Sequence, residues 1–463
     1  MQIFVVILIL LAILIGLIYL NAQKKNNAVN QIKLHKKSSQ TFQDPQKISE
    51  WLIGFASQAG FAEQLATQTA QMLKQLGISV TLQPLHTLSS DRLAHFQHAL
   101  FVVSTFGEGE PPDHARTFLK RMNNTENLQN LQFGLLALGD KQYETFCGFG
   151  RTLDAWLQKQ GAQPLFKSIE VDNGDQTALN TWKTQLTAFG SSSQIAMQTT
   201  INFEPVYERW HLVERRLLNP GSCGNPVFHI ELEPAEALSR SWKSGDLIDI
   251  KPRYANDATP LKPLPSRQYS ISSIAEEGRI HLLVRQVKHG GTLGLGSGWL
   301  TEYLKPGDAF DLTLRSNKAF HLPSGDYPLI LIGNGTGIAG LRSHLKARIH
   351  AGYKRNWLFF GERNQACDFY YRDEIEAWYT QGMLENLDLA FSRDQPERIY
   401  VQDRLRTASD RVKTWIAEGA VILVCGSLEG MAPAVENVLA DILGSSANIE
   451  QLSEEGRYLR DVY

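Results

Sequence analysis

The stretch ALFVVSTFGEGEPP (residues 99–112) joins an uninterrupted apolar run to a loop rich in glycine, proline and acids. The run is typical of a strand that is buried on both faces of a parallel sheet. A glycine-rich turn after such a strand usually binds phosphate. Here Glu108, Glu110 and Asp113 would repel a phosphate, so we expect the loop to hold a different kind of group.

The same alternation of an apolar run and a helical pattern recurs along the first half of the chain. Strands are predicted at 51–57, 78–85, 99–105, 133–139 and 165–171. Helical patterns lie between them, for example over 61–77 and 150–161. Five such units predict an α/β domain with a doubly wound parallel sheet. Ligands bind such sheets at the carboxyl ends of the strands, which selects the loops 56–63, 104–112 and 138–147.

The pattern changes twice further along the chain. Short β-like segments with turns between them predict an antiparallel β-barrel. From Pro328 the α/β alternation returns, with strands predicted in PLILIGNG, NWLFFGE, LDLAFSR and AVILVCGS. The predicted organisation is a transmembrane anchor (1–22), a flexible linker (23–48), the first α/β domain (49–190), a linker (191–203), the β-barrel (204–322) and a second α/β domain (323–463).

The N-terminal segment Ile3–Leu20 is apolar and uncharged over 18 residues. As a helix it is about 27 Å long, which is enough to cross a bilayer. Lysines follow the segment rather than precede it, so the positive-inside rule predicts a retained membrane anchor with the remaining domains in the cytoplasm. The alternative is a cleaved signal peptide.

Composition narrows the classes of function. The chain has 463 residues and a formal net charge of −2, which argues against nucleic-acid binding. The four cysteines, Cys147, Cys223, Cys367 and Cys425, have no metal-ligand spacing. We therefore predict neither a metal site nor a disulfide framework.

Two segments of the second α/β domain carry the residue types of a dinucleotide site. NGTGIAG (334–340) follows a strand and opens a helix, so its backbone N–H groups can receive a pyrophosphate; a plain tight turn is the alternative. Ser392, Arg393 and Arg398 come at the end of a later strand. Arginines bind a phosphate dianion bidentately, which favours NADP over NAD.

Two segments of the predicted barrel carry a second cluster of ligand-type residues. Arg267 of RQYS (267–270) can neutralise a phosphate, and the glycines around Ser297 can surround a pyrophosphate at a helix start. Tyr269 can lie along a flat ring, although a cross-strand core aromatic is the alternative.

RQYS, GLGSGWL, GNGTGIAG, SRDQPERIYVQ, VCGS and RYLRDVY occur in one order, and this order resembles the NADPH-dependent diflavin reductase family. STFGEGEPP and LGDKQYETFC resemble the FMN domain of the same family, so the resemblance covers about residues 50–463. It implies a flavodoxin-like first domain, a ferredoxin-reductase-like pair of later domains, and the cofactors FMN, FAD and NADPH.

The resemblance also implies which residues contact each cofactor. For FMN these are Ser57, Gln58, Ala59, Gly60, Phe61, Ala62, Ser104, Thr105, Phe106, Gly107, Leu138, Gly139, Asp140, Tyr143, Phe146 and Cys147. For FAD they are Arg267, Gln268, Tyr269, Ser270, Gly294, Leu295, Gly296, Ser297 and Tyr463. For NADP they are Gly335, Thr336, Gly337, Ser392, Arg393, Arg398, Tyr400 and Gln402.

The implied activity is an electron relay from NADPH to FAD, then to FMN, and then to a haem protein or another redox protein at the membrane. By the same resemblance Ser270, Cys425 and Asp461 are the catalytic residues beside the reacting rings. An alternative is the flavoprotein component of an assimilatory NADPH sulfite reductase. The acids Glu108, Glu110, Asp113 and Glu144 are expected to steer a partner with a basic face, and a simple solvated rim is the alternative.

Two departures from the family pattern qualify the resemblance. Ala59 and Phe61 stand where the family usually has Thr and Asn, which removes a hydroxyl from the FMN phosphate loop. A membrane docking module without FMN is therefore a further alternative. Residues 253–265 also replace the helical connecting domain of the relatives, so fewer restraints hold the flavin domains together.

Overall fold

The computed structural model describes residues 50–122, 127–190, 203, 205–238, 241–253 and 264–463. Three sheets follow one another along the described chain, and all three belong to one compact unit. Each sheet packs its own apolar cluster around a fully buried tryptophan, namely Trp182, Trp210 and Trp357.

The first sheet is parallel, as predicted. Its strands are β1 (Trp51–Ala56), β2 (Val80–Pro84), β3 (His98–Ser104), β4 (Gln132–Gly139), β5 (Gln163–Pro164) and β6 (Ile169–Asp172). The order is β2-β1-β3-β4-β5, and β6 also pairs with β4. The strand predicted at 165–171 differs from the structure, where β5 ends at Pro164 and β6 begins only at Ile169. Strand order reverses between β1 and β3, which places the loops after both strands at the ligand-binding crevice.

Helices cover this sheet. They are α1 (Phe61–Gln75), α2 (Ser90–Leu93), α3 (Arg116–Arg121), α4 (Gly148–Lys159) and α5 (Gln176–Thr187). The amphipathic α1 packs its apolar face on the sheet, and Trp182 of α5 donates a 3.0 Å hydrogen bond to the buried Thr69 hydroxyl of α1. These contacts fix the start of α1, where the predicted phosphate loop ends.

The second sheet is antiparallel. Its strands, with a small hairpin, are β7 (Glu208–Leu217), β8 (Val227–Pro234), β9 (Leu247–Ile250), β10 (Arg267–Ser270), β11 (Ile280–Arg285), β12 (Lys288–His289), β13 (Thr292–Leu293) and β14 (Ala309–Arg315). The order is β10-β9-β14-β7-β8-β11, and β12 pairs only with β13. In the part of the chain that the structure describes, β10 and β11 form the two edges. The antiparallel sheet is confirmed, whereas closure into a barrel is not.

A short helical segment follows the hairpin. Helix α6 (Leu295–Gly298) continues into a π-helical turn at Trp299–Tyr303. It begins where the sequence predicted a phosphate-binding helix start.

The third sheet is parallel. Its strands are β15 (Leu329–Asn334), β16 (Asn356–Glu362), β17 (Asn386–Phe391), β18 (Val421–Gly426) and β19 (Tyr458–Val462), in the order β17-β16-β15-β18-β19. Its helices are α7 (Ile338–His350), α8 (Gln365–Asp368), α9 (Arg372–Thr380), α10 (Val401–Thr407), α11 (Ser409–Ala417), α12 (Met431–Leu443) and α13 (Ser446–Glu454). The first four strands were predicted. The fifth, β19, was not, and it places Asp461 opposite Cys425 in the ladder.

The predicted membrane-anchored localisation is corrected by the helices of the structure. A helix needs about 20 apolar residues to cross the hydrocarbon core. The longest helix of the described residues, α1, has 15 residues and one polar face, and none of the described helices meets the requirement. The segment Ile3–Leu20, on which the prediction of an anchor rested, lies outside the described residues.

Candidate functional site

Residues of all three sheets line one cavity of about 2490 Å³. Ligand pockets commonly measure about 300–1,000 Å³, so the cavity has room for more than one cofactor-sized ligand. Its walls include the loops after β1, β3 and β4 of the first sheet, strand β10 and helix α6 of the second, and the loops after β15 and β17 of the third.

Nearly all of the predicted cofactor residues line this cavity. Four of the predicted site residues do not line it: Gly60, Ala62, Gly337 and Cys425. Ala62 and Cys425 are fully buried directly behind the wall. Residues 57–62, 104–107 and 138–147, which are remote in sequence, are brought together by the strand order of the first sheet.

The first loop cluster contains buried polar atoms that lack partners. The hydroxyls of Ser57 and Thr105 are buried and have no hydrogen-bond partner among the described residues. By contrast, the hydroxyl of Ser104 accepts a 3.2 Å hydrogen bond from the backbone N–H of Gln58. A buried hydroxyl without a partner is costly, so these two groups fit a polar ligand such as FMN.

The acidic loop is partly tied to the third sheet. Asp113 accepts hydrogen bonds from Gln58, at 3.1 Å, and from the guanidinium group of Arg460 in β19. Burial alone would raise the pKa of Asp113, but Arg460 lowers it below its ordinary value. Asp113 is thus an internal ion-pair partner, and the expectation that it steers a basic protein is wrong. Glu108, Glu110 and Glu144 remain exposed.

The start of α1 lies against the second sheet. The guanidinium carbon of Arg315 lies 4.4 Å from the centroid of the Phe61 ring, and Arg315 also forms an ion pair with the buried Asp249. Phe61 is one of the two departures from the family pattern. Its aromatic ring gives the first loop a cation–π contact with the neighbouring sheet.

The second wall brings RQYS beside α6. Gly296 lies directly against Arg267 and Tyr269. The hydroxyl of Ser297 accepts a 3.1 Å hydrogen bond from the backbone N–H of Val287, which holds the start of α6 against the hairpin. A guanidinium group, a short helix start and an aromatic ring therefore share one surface, a set of groups that fits the pyrophosphate and flat ring of FAD.

Ser270, Cys425 and Asp461 meet at one corner of the cavity. The hydroxyl of Ser270 donates a 2.9 Å hydrogen bond to the Oδ2 atom of Asp461, and the Sγ atom of Cys425 lies 3.9 Å from the same oxygen. Burial raises the pKa of Asp461 to about 6. Burial and the nearby carboxylate raise the pKa of the Cys425 thiol, so it stays protonated. The corner therefore offers one titratable carboxylate with two hydrogen-bond donors.

The C-terminal residue closes this corner. Tyr463 follows β19, and its backbone N–H donates a 2.9 Å hydrogen bond to the carbonyl of Gly426. Tyr463 as a whole residue is 56% exposed, it lines the cavity, and its hydroxyl donates a 3.4 Å hydrogen bond to the Thr336 hydroxyl. An aromatic ring that is held by its backbone and exposed on one side can cover another flat ring.

The loop after β17 carries the predicted phosphate-binding groups. Ser392, Arg393 and Arg398 all line the cavity. Ser392 is bonded through its hydroxyl to the carbonyl of Glu362, at 3.3 Å, so the loop is held against β16. Two guanidinium groups beside one hydroxyl form a donor set that suits a phosphate dianion.

Three ion pairs at the site were not predicted: Arg285–Glu362, Arg315–Asp249 and Arg460–Asp113. Their partners are between 66 and 347 positions apart in sequence. The sequence drew attention to two of these residues, Asp113 in the acidic loop and Arg460 in the motif RYLRDVY, but no local pattern indicated that they pair.

Comparison with known proteins agrees with this geometry. Residues 53–184 match the Flavodoxin family, and residues 331–437 match the Oxidoreductase NAD-binding domain family. The chain is also similar to proteins named Sulfite reductase [NADPH] flavoprotein alpha-component. That of Bacillus subtilis (strain 168) is 27% identical over 90% of both chains, and that of Neisseria meningitidis serogroup C (strain 053442) is 28% identical over 88% of both.

The relative from Mannheimia succiniciproducens is 28% identical over 98% of this chain and 96% of its own. That alignment has 577 positions, whereas the chain has 463 residues, so at least 114 positions lack a counterpart here. The difference agrees with a connecting segment shortened to residues 253–265. An oxidoreductase with a flavodoxin domain, a nucleotide-binding domain and these relatives belongs to the NADPH-dependent diflavin reductase family, whose cofactors are FMN, FAD and NADPH.

Proposed function

We propose that the chain passes electrons from NADPH through FAD and FMN to a redox protein, and that this acceptor is a haem protein. The observation that carries the proposal is that Ser270 and Asp461, with Cys425 buried directly behind them, lie on the wall of a cavity that the predicted FMN residues also line. When bound, NADPH supplies a hydride, FAD takes up its two electrons, and FMN releases them singly.

The residues of the first sheet suit FMN. The loop Ser57–Ala62 precedes α1, whose free backbone N–H groups attract a phosphate. The unpartnered hydroxyls of Ser57 and Thr105 add two hydrogen-bonding groups to this side of the cavity. These groups and the Flavodoxin match argue against the alternative of a docking module without FMN.

The residues of the second and third sheets suit FAD and NADPH. Arg267 and the start of α6 would hold the pyrophosphate of FAD, with Tyr269 and Tyr463 beside its ring. Ser392, Arg393 and Arg398 would bind the 2′-phosphate of NADPH, and this charge would select NADPH over NADH.

Asp461 would act through its charge. An ionised carboxylate at this corner would stabilise the positive charge that develops on a bound nicotinamide when it gives up hydride. Ser270 holds the carboxylate in place by its 2.9 Å hydrogen bond, and the buried Cys425 thiol packs 3.9 Å from the same carboxylate oxygen.

Replacing Asp461 tests this role. We expect Asp461→Asn and Asp461→Ala to slow NADPH oxidation about 10²-fold or more, as the loss of one preorganised electrostatic group does. Bound FAD, measured from acid-released flavin, should be unchanged. Asp441→Asn is the matched control, because Asp441 is exposed in the same domain and does not line the cavity. A normal rate of flavin reduction in Asp461→Ala would remove Asp461 from the mechanism.

The same residue predicts a pH dependence. Since the pKa of Asp461 is raised to about 6, its ionised fraction grows between pH 5 and 7. The pre-steady-state rate of reduction by NADPH should rise over this window and then level off, and Asp461→Asn should remove the rise. Stability should change in the opposite direction. A raised carboxyl pKa contributes stability below the ordinary value near 4 and loses it as the pH rises through 6.

A second candidate acceptor is a sulfite-reducing component, which the similarity to the alpha-components of NADPH sulfite reductases favours. The two acceptors are separated by mixing the purified chain with cytochrome c or with a sirohaem protein plus sulfite. Sulfite-dependent NADPH oxidation seen only with the sirohaem protein would select the second candidate.

A further inference from the structure

A cluster of two histidines and a glutamate lies on the second sheet. His229 and Glu231 are two positions apart on β8, so their side chains share one face of the strand. In the neighbouring β11, His281 is directly opposite Glu231. Pairing thus brings His229, Glu231 and His281 together on one face of a rigid ladder. None of the three lines the cavity of the proposed cofactors.

The potential ligand atoms converge. The Nε2 atom of His229 lies 3.3 Å from Oε1 of Glu231, and Nε2 of His281 lies 3.9 Å from the same oxygen. One atom from each residue forms a set in which no pair is more than 4.8 Å apart. Donor atoms of a tetrahedral zinc ion are about 3.3 Å apart, given zinc–nitrogen bonds of about 2.0–2.1 Å. Small side-chain rotations therefore suffice to surround one ion.

The surroundings orient the ligands. His229 is 3% exposed, and its Nδ1 atom lies 3.0 Å from the hydroxyl of Tyr371, a partner of the kind that fixes the tautomer of a metal-binding histidine. The Oε2 atom of Glu231 accepts a 3.1 Å hydrogen bond from Arg279, which leaves Oε1 facing the histidines.

The nearby charges do not exclude a cation. Four cationic side chains lie around the cluster, and each is paired with a carboxylate. The pairs are Arg216 with Glu214, Arg279 with Glu231 and Glu233, Arg342 with Glu374, and Lys346 with Glu277 and Glu374. Five carboxylates thus face four cations. Mg²⁺ and Ca²⁺ bind mainly to oxygen ligands through their charge, so nearby guanidinium groups disfavour them. A transition metal that bonds strongly to imidazole is the better candidate for this ligand set.

We propose that His229, Glu231 and His281 form a divalent transition-metal site of the zinc class, with three protein ligands and a remaining position for water. Two histidines and one glutamate are a known ligand set for zinc. The prediction of no metal site considered only the spacing of the cysteines. The two ligating segments are 50 residues apart and meet only through strand pairing, which no local pattern shows. The site is independent of the proposed electron relay.

The test measures zinc on the flavin-loaded enzyme. The protein is stripped with a chelator, incubated with a small excess of Zn²⁺ and desalted, and zinc is then determined per chain by mass spectrometry. We expect about one equivalent in the wild type and less than one tenth in His281→Asn and Glu231→Gln. Tyr371→Phe, which removes only the positioning hydroxyl, should weaken binding about 10-fold or more.

Two controls separate the site from adventitious binding. His350→Gln removes an exposed histidine at the end of α7, and Cys223→Ser removes the exposed thiol; both should keep one equivalent. Added zinc should raise the melting temperature of the wild type and not that of His281→Asn, and retained FAD shows that each variant is folded. A wild type that keeps no zinc, or ligand variants that keep as much as the wild type, would overturn the proposal.

Discussion

The loops after β1 and β15 occupy the same position in two parallel sheets, yet they are enclosed by different surfaces. Gly60, at the start of α1, lies against the second sheet: a Cβ atom there would be 2.0 Å from the carbonyl oxygen of Ser316. Gly337, at the start of α7, lies against its own sheet, where a Cβ atom would be 2.2 Å from the carbonyl oxygen of Cys425. The shape of the first loop therefore depends on assembly of the three sheets, whereas that of the second is set within one.

Because of this difference, substitutions in the two loops should affect different ligands. The first loop is held to the rest of the molecule by the Phe61–Arg315 stacking and by the Asp113–Arg460 ion pair nearby. The second is held next to Cys425, and so next to Asp461, through the β15–β18–β19 pairing. We expect changes in the first to affect FMN and inter-sheet contacts, and changes in the second to affect NADPH alone.

The largest effect is expected for Gly337→Ala. The added methyl group meets backbone atoms of Cys425 and Gly426, which cannot rotate away, and such overpacking costs about 1–3 kcal/mol. The KM for NADPH should rise about 5- to 150-fold, measured with ferricyanide as acceptor, while the FMN content stays constant. Gly352→Ala, just beyond the other end of α7, is the control, because a Cβ atom there has no neighbour within 4 Å. Equal effects of the two substitutions would contradict the close approach at Gly337.

A smaller effect is expected for Gly60→Ala, which tests the contact between sheets. Gly60 has φ +78°, a left-handed conformation that costs a residue with a side chain about 1–2 kcal/mol. The clash with Ser316 adds to this, so FMN should bind about 30-fold more weakly, measured by flavin fluorescence, with an unchanged KM for NADPH. Gly77→Ala has the same backbone strain (φ +81°) but no neighbour within 4 Å. If both variants lost FMN equally, the contact with Ser316 would have no part in FMN binding.

Local patterns predicted most of the parallel sheets. Apolar runs marked β1, β3, β4, β15, β16 and β18, because buried parallel strands have few polar positions. Strand β19 was missed because its alternating residues, with Arg460 and Asp461 in the middle, have no long apolar run. The position of β19 is determined by its pairing with β18. This is a tertiary contact, which a local sequence pattern does not show.

The same distinction holds for the site. The resemblance to known motifs named Ser270, Cys425 and Asp461 separately, and the structure shows that they meet. No local pattern could show that Asp113 pairs with Arg460 or that Arg315 stacks on Phe61, since each pair joins different sheets. The sequence therefore predicted the parts of the site, whereas the contacts between the sheets required the fold.

The smallest effect is expected at the buried hydroxyls of the first loop, where binding and stability can be separated. Because the Ser57 hydroxyl has no partner among the described residues, Ser57→Ala should leave the flavin-free protein as stable as before, or more stable. FMN should nevertheless bind about 5-fold more weakly, since one hydrogen bond of about 1 kcal/mol is lost. Ala59→Thr, which adds a hydroxyl to the same loop, should tighten FMN binding by a similar factor.

Ser104→Ala provides the contrast for this experiment. Its hydroxyl is already bonded to Gln58 and to the carbonyl of Ala56, so its loss should lower the melting temperature of the flavin-free protein. Melting curves with and without FMN distinguish the two serines. If Ser57→Ala destabilised the flavin-free protein as much as Ser104→Ala, the Ser57 hydroxyl would be a structural group, and the first loop would be fixed internally as the second one is.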